Sequence, residues 1–198
     1  MGDDRRDGIV RAVVFTGNDC GDQWPGSRAI SAQKANTANA FCLPGLALST
    51  ANLYSAVQPG GSLFGLQHSN PVDTDAAYWG DARNFGQRND PMVRRRIGGV
   101  NVFGGGLGLY NAEGELVGGI GVSGDSSCAD HNIAWRVRHL LELDYVPGGV
   151  SPAGDDNIVF DISGGASAGG WGHPHCLPDN ADREDAALAD LPAFRSTE

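Results

Sequence analysis

Short apolar segments alternate with glycine-rich and polar stretches along the chain, so the hydrophobic pattern predicts a mixture of strands and helices. The β-branched run at residues 9–16 predicts a strand that ends at Gly17. Small residues recur at helical spacing over residues 31–43, which predicts a closely packed helix capped by Ser27 or Ser31.

Residues 98–124 carry the most distinctive pattern of the chain. VNVFGGGLGLY at residues 100–110 and ELVGGIGVSG at residues 115–124 flank the turn sequence NAEG, which together predict a β-hairpin. Glycine inside a strand often marks a close approach by another group. We therefore expect something to pack tightly against this hairpin.

The remaining pattern predicts a short helix at 48–58, a strand at 62–68, a helix at 126–144 and a last strand at 157–162. The helix at 126–144 has an apolar stripe that consists of Ile133, Val137, Leu140 and Leu141. Residues 69–98 form a long polar and aromatic loop, and loops of this length are usually functional or wrap a neighbour.

Strands grouped in the middle of the chain, with helices outside them, predict an α+β domain on a mostly antiparallel sheet. A length of 198 residues with 40% hydrophobic side chains fits a single domain, which we assign to residues 1–177. Residues 178–198 are predicted to form an acidic, flexible tail.

The charge balance limits the partners that we expect. The chain has 14 Lys and Arg against 24 Asp and Glu, a formal charge of −10, which argues against binding nucleic acid. Its apolar runs are shorter than the roughly 18 residues of a membrane helix, so no membrane partner is expected. No signal peptide is recognisable as the chain is written. The location would be periplasmic or extracellular if one has been removed, and cytoplasmic otherwise.

Four cysteines, Cys20, Cys42, Cys128 and Cys176, allow two disulfides with three possible connectivities. We favour a disulfide between Cys128 and Cys176, which would pin the end of the chain to the helix at 126–144. Cys20 and Cys42 could form a second disulfide or be buried thiols.

Histidines are the candidate metal ligands of this chain, and we select His131, His173 and His175. His131 follows Asp130 at a helix start, where the helix dipole favours a neutral imidazole; the residue could instead only hydrogen-bond the hairpin. The run from His173 to Cys176 could close a zinc site with Cys128 and His131, although the spacing is not a known zinc signature. Nucleotide-binding motifs are absent, so no nucleotide cofactor is expected.

Three segments carry a family resemblance: KANTANAF at residues 34–41, FGGGLGLYNAEGELVGGIGVSG at 103–124 and ADHNIA at 129–134. Together they resemble the GlcG/HbpS-type haem-binding family, over about residues 27–143. The chain departs from the family pattern at Gly108, where proline is usual, and in its longer loop at 69–98.

The resemblance implies a profilin-like α/β/α sandwich around a central five-stranded antiparallel sheet, assembled into dimers or larger homo-oligomers. It also implies a protein that binds haem or a related tetrapyrrole, for haem or iron handling or redox sensing. On this hypothesis a histidine ligates iron, glycine N–H groups and basic side chains hold propionates, and aromatic rings pack on the macrocycle. The candidate cofactor-binding residues are His131, Lys34, Gly104, Gly105, Gly106, Tyr78 and Arg95.

The alternative hypothesis is a cofactor-free enzyme that acts on a small metabolite bearing a carboxylate or carbonyl group. Lys34, Asp130 and His131 would be its catalytic residues, beside hairpin N–H groups that stabilise negative charge. Lys34 could equally form a salt bridge that holds its helix to the sheet. A purely structural subunit of an oligomer also fits these residues.

Overall fold

The computed structural model describes residues 6–19 and 22–196, and within them five α-helices and two small β-hairpins are joined by long turns. The helices are α1 (Ser27–Phe41), α2 (Leu66–Ser69), α3 (Thr74–Ala77), α4 (Ser127–Leu140) and α5 (Ala181–Ala189). The strands are β1 (Gly106–Tyr110), β2 (Leu116–Gly121), β3 (Ile162–Ser163) and β4 (Ala166–Ser167). None of the described helices is long and apolar enough to cross a membrane.

The predicted glycine-rich hairpin is confirmed, with shorter arms than the pattern indicated. Strands β1 and β2 pair antiparallel, and Gly106 lies opposite Gly121. The turn between them contains Gly114, whose φ of +71° lies in the left-handed region that glycine adopts without strain.

Helix α1 packs against this hairpin almost backbone to backbone, as the glycines inside the strands led us to expect. A Cβ atom built on Gly119 would lie 2.4 Å from the carbonyl oxygen of Ala35, and one on Gly121 would lie 1.8 Å from that of Ser31. Any side chain at these positions would therefore displace the helix. Gly26 precedes α1 without a side-chain cap, so the predicted capping by Ser27 or Ser31 is wrong.

The expected profilin-like sandwich around a five-stranded antiparallel sheet is wrong. The described residues form two separate two-stranded sheets, β1 with β2 and β3 with β4, although helices and antiparallel hairpins keep the coarser α+β composition. The segment at 9–16 contributes one isolated bridge, between Ile9 and Arg96. On the partner segment, Arg94 precedes Arg96 by two residues and has a φ of +72°, a conformation that interrupts an extended strand. The β-branched pattern indicated extended backbone but could not supply a pairing partner.

Three other predicted elements also differ from the structure. Residues 48–58 form turns that end in the 3₁₀ helix Ser55–Val57, and residues 62–68 turn into α2. The extended segment at 157–162 pairs only at its end, through Ile162 in β3.

The loop at 69–98 wraps its own domain. The Arg28 guanidinium, on α1, forms a two-pronged ion pair with Asp90 and lies 3.9 Å from the centre of the Phe85 ring. Met92 and Ile97 are buried in a cluster with α1 and α3. The loop is therefore held to α1 by both charge and apolar packing.

Helix α4 buries a polar face. Its N-cap is Ser126, whose hydroxyl accepts the N–H of Ala129. Arg138 is fully buried and forms two 2.8 Å hydrogen bonds with the carboxylate of Asp156. The predicted apolar stripe instead points outward, with Leu140 79% exposed. The reversal occurs because the charged residues of the inner face find buried partners.

The acidic segment after residue 178 packs against α4 in this structure. The Trp135 indole N–H donates to the carbonyl oxygen of Pro192 at 2.8 Å, and Leu191 and Phe194 pack on the cluster around Trp135. Arg195 forms an ion pair with the buried carboxylate of Asp144.

We expect Gly121→Ala to lower the free energy of unfolding by about 1–3 kcal/mol, because its new methyl group would collide with the backbone of α1. Gly118→Ala in the same strand is the matched control, since its Cβ would meet nothing closer than Leu109 at 3.9 Å. Urea unfolding of both variants checks this. Equal stability of the two would contradict the backbone contact.

Candidate functional site

Lys34 and Asp130 form a buried ion pair where α1, the end of β2 and the start of α4 meet. The Lys34 ammonium group donates to Asp130 Oδ2 at 2.9 Å and to the carbonyl oxygen of Val122 at 2.8 Å. Both residues are almost completely buried. Burial lowers the pKa of Lys34 and raises the pKa of Asp130, and the partner's charge opposes each shift. The pair is a structural anchor of the kind that we considered for Lys34.

The glycines of the predicted anion site use their N–H groups inside the protein. The N–H of Gly104 donates to His173 Nε2 at 3.3 Å, and that of Gly106 donates to the Thr50 hydroxyl at 2.9 Å. A Cβ on Gly105 would lie 2.9 Å from the Lys34 ammonium nitrogen. The absence of a side chain at Gly105 therefore leaves room for the Lys34 ammonium group beside Asp130.

His131 lies beside the ion pair and is fully buried. Burial, with the nearby charge of Arg138, lowers its pKa to about 3, so the imidazole is neutral. The side chain of Asn157 favours the charged form, but neither ring nitrogen makes a hydrogen bond of normal geometry to a described residue. All three residues of the enzyme hypothesis, Lys34, Asp130 and His131, are therefore buried, and among them the structure shows a hydrogen bond between Lys34 and Asp130.

The predicted disulfide between Cys128 and Cys176 is confirmed. It joins the first turn of α4 to the segment that contains His173 and His175. Cys42 is a buried free thiol whose pKa is raised by burial, and Cys20 lies outside the described residues.

His173 is buried against this disulfide. Its Nδ1 atom lies 2.7 Å from the carbonyl oxygen of Pro174, and a carbonyl only accepts hydrogen bonds, so Nδ1 carries the proton. The Nε2 atom accepts the N–H of Gly104 and lies 3.3 Å from the Ser127 hydroxyl. Burial lowers the pKa of His173 to about 4, which keeps the ring neutral.

His175 lies in an apolar cleft of about 250 Å³ near the surface. Its ring stacks on Phe160 with centroids 4.0 Å apart, and its Nδ1 atom lies 3.1 Å from Glu184 Oε2. The histidine side chain is 25% exposed. The cleft is lined by Phe160, Ile162, His173, Pro174, His175 and Pro178.

Tyr78 and Arg95 lie on a different surface. The Arg95 guanidinium is 4.7 Å from the centre of the Trp79 ring, and both Tyr78 and Trp79 are more than half exposed. The Arg95 side chain donates to the carbonyl oxygen of Pro91 and the Tyr78 N–H to that of Thr74, so both residues donate within their own loop. A larger cavity of about 530 Å³ lies at the turn of the β1–β2 hairpin, and no predicted site residue lines it.

Sequence reasoning missed two residues that shape the histidine cleft, Phe160 and Glu184. Phe160 lies in an extended segment that was predicted only as a strand, and Glu184 lies in the acidic tail. No local signal could pair either residue with His175, because the contacts span 15 and 9 positions.

We expect Lys34→Met to lower the free energy of unfolding by about 3–5 kcal/mol, because it leaves Asp130 buried without its partner. Arg83→Met is the control, since it breaks a solvent-exposed pair with Asp81 and should leave the free energy of unfolding nearly unchanged. Urea unfolding at neutral pH measures both. A loss for Lys34→Met as small as that of the control would show that the pair is no anchor.

Stability should fall as the pH is lowered from about 6.5. The unfolded chain protonates its histidines there, whereas folded His131 and His173 stay neutral until about pH 3 and about pH 4. Each of these two histidines therefore lowers the free energy of unfolding by about 1.4 kcal/mol per pH unit below 6.5. Urea unfolding from pH 7.5 to 5 should show this slope, reduced by about half in His131→Asn. If His131→Asn kept the wild-type slope, His131 would not contribute to the pH dependence of stability.

Comparison with known proteins supports the resemblance seen in the sequence. The family model described as haem degrading protein HbpS-like matches residues 10–138, well over half of the chain. No curated protein matches the chain significantly. The matched residues include α1, the β1–β2 hairpin and nearly all of α4. The chain therefore belongs to the HbpS-like family.

Proposed function

We propose that this protein binds haem, with the imidazole of His175 as the iron ligand. The observation that carries the proposal is a histidine in an apolar cleft whose ring is oriented by a carboxylate. The family description supports the class of ligand, and the cleft is our reason for choosing this position. The cleft begins at Phe160, beyond the family match that ends at residue 138, so the position is argued from the cleft alone.

The hydrogen bond of His175 leaves one nitrogen for a metal. With Nδ1 donating to Glu184, the lone pair is on Nε2, and this arrangement is common in metal-ligating histidines. The Nε2 atom lies 3.9 Å from a carboxylate oxygen of Asp185, too far for a hydrogen bond. Nε2 is therefore available to an iron atom.

The cleft also fits the apolar part of the ligand. Phe160, Ile162 and the two prolines give the walls an apolar character. Its volume of about 250 Å³ is just below the range of about 300–1,000 Å³ for small-molecule pockets, so it would hold one edge of a macrocycle. Bound haem would supply the iron redox and dioxygen chemistry.

His131 is the poorer ligand among the predicted residues. Its neutral, unpartnered ring has the right chemistry, but the residue is 0% exposed and lines neither cavity described above. Lys34 is likewise committed to Asp130. The roles of Tyr78 and Arg95 in holding haem stay predictions, as does a homo-oligomeric assembly. The cofactor-free enzyme also stays a prediction. Lys34, Asp130 and His131, its candidate catalytic residues, line neither of the two cavities.

A haemin titration followed by visible absorption tests the proposal. We expect a saturable Soret band at one haem per chain, and at least tenfold weaker binding in His175→Ala because the ligand nitrogen is lost. His68→Ala is the matched control, since His68 is an exposed histidine on α2 and should bind as the wild type does.

Glu184→Gln should change the Soret maximum as well as the affinity, because the carboxylate sets the electron donation of the ring. Equal binding by wild type and His175→Ala would rule out this ligand. A featureless titration of the wild type would rule out haem binding.

A further inference from the structure

We infer that the Cys128–Cys176 disulfide closes a second metal site, and that reduction opens it to a divalent cation such as Zn²⁺. The ligands would be the two cysteine sulfurs and Nε2 of His173. This site adjoins the haem cleft, whose lining includes His173, but it uses other ligands, because His175 is not one of them.

The three ligand atoms already lie close together. All are within 4.8 Å of one another, and His173 and Cys128 are buried. Tetrahedral zinc, with bonds of about 2.3 Å to sulfur and about 2.0 Å to nitrogen, needs ligand atoms about 3.5–3.8 Å apart. The cysteine Cα atoms are 6.0 Å apart, so side-chain rotation alone could separate the sulfurs to this spacing once their bond is broken.

His173 is oriented to act as a ligand. Because Nδ1 donates to the carbonyl oxygen of Pro174, the lone pair of the ring is on Nε2, and both Nε2 and Cys176 Sγ lie 3.3 Å from the Ser127 hydroxyl oxygen. The present partners of Nε2 are the Gly104 N–H and the Ser127 hydroxyl, both at 3.3 Å. These contacts are long for hydrogen bonds, so a cation would replace weak interactions.

The start of α4 also favours negative charge on the sulfurs. Cys176 Sγ accepts the N–H of Cys128 at 3.1 Å and lies 3.3 Å from the Ser127 hydroxyl. Both groups belong to the first turn of the 14-residue helix, whose N-terminal end carries positive partial charge. Three protein ligands leave a fourth position, beside Ser127, for a water molecule.

The disulfide form and the dithiol form of Cys128 and Cys176 differ by two electrons and two protons. A dithiol reductant transfers two electrons and two protons to the S–S bond, which gives two thiols and leaves the reductant as a cyclic disulfide. Binding of the cation then releases both thiol protons to solvent and forms two metal–sulfur bonds. The cation does not change its oxidation state.

The full-length protein should be titrated with Co²⁺, as a coloured substitute for Zn²⁺, before and after reduction. We expect the reduced protein to bind one Co²⁺ with sulfur-to-cobalt charge-transfer absorption, and the oxidised protein to show none. His173→Ala, purified with its disulfide formed and then reduced, should bind at least tenfold more weakly, because a ligand nitrogen is lost. Cys42→Ala removes a buried free thiol that lies outside the site and should bind as the wild type does.

Circular dichroism of the reduced protein accompanies each titration. A reduced protein that stays folded but binds no Co²⁺ at micromolar concentration would overturn the proposal. Loss of the folded spectrum on reduction would overturn it too, because the preformed site would not survive. Undiminished charge-transfer absorption in Cys176→Ser would show that other sulfurs are the ligands.

Discussion

The contact between α1 and the glycine-rich hairpin is the constraint on which the rest of the structure depends. Because Gly119 and Gly121 have no side chains, the helix lies directly on the strands, and Lys34 has no route to solvent. A buried ammonium group needs a partner, and Asp130 at the start of α4 provides it. The close backbone contact between α1 and the hairpin therefore creates the need for a buried carboxylate, which the first turn of α4 supplies.

The position of α4 in turn sets the geometry of the histidine segment. The second residue of α4 is Cys128, and its disulfide holds Cys176 against the first turn of the helix. His175 precedes Cys176 and is thereby held against Phe160, where Glu184 can orient its ring. The proposed haem ligand is thus positioned by a chain of contacts that starts at the hairpin, although it lies beyond the residues of the family match.

The two sites proposed here use neighbouring histidines in different ways. His173 is buried close to the two sulfurs of the disulfide, whereas His175 is partly exposed in an apolar cleft. Their different surroundings suit a borderline cation and an iron tetrapyrrole respectively. Because one disulfide connects the two places, reduction could alter the cleft as well as the metal site.

The sequence by itself determined the elements that depend on local chemistry. The turn at Gly114, the helical spacing of α1 and the start of a helix at about residue 126 were all predictable, because each is set within a few residues. The family could also be recognised, and so could the pairing of Cys128 with Cys176.

Tertiary structure alone decided the features that need a distant partner. The strand predicted at 9–16 has no sheet to join. The charged residues Asp130 and Arg138 of α4 are buried because each finds an ion-pair partner. The partly exposed His175 is set apart from the other histidines by the ring of Phe160 and the carboxylate of Glu184, which come from elsewhere in the chain. Periodicity records which backbone conformation a segment favours, whereas pairing and burial depend on what lies opposite it in space.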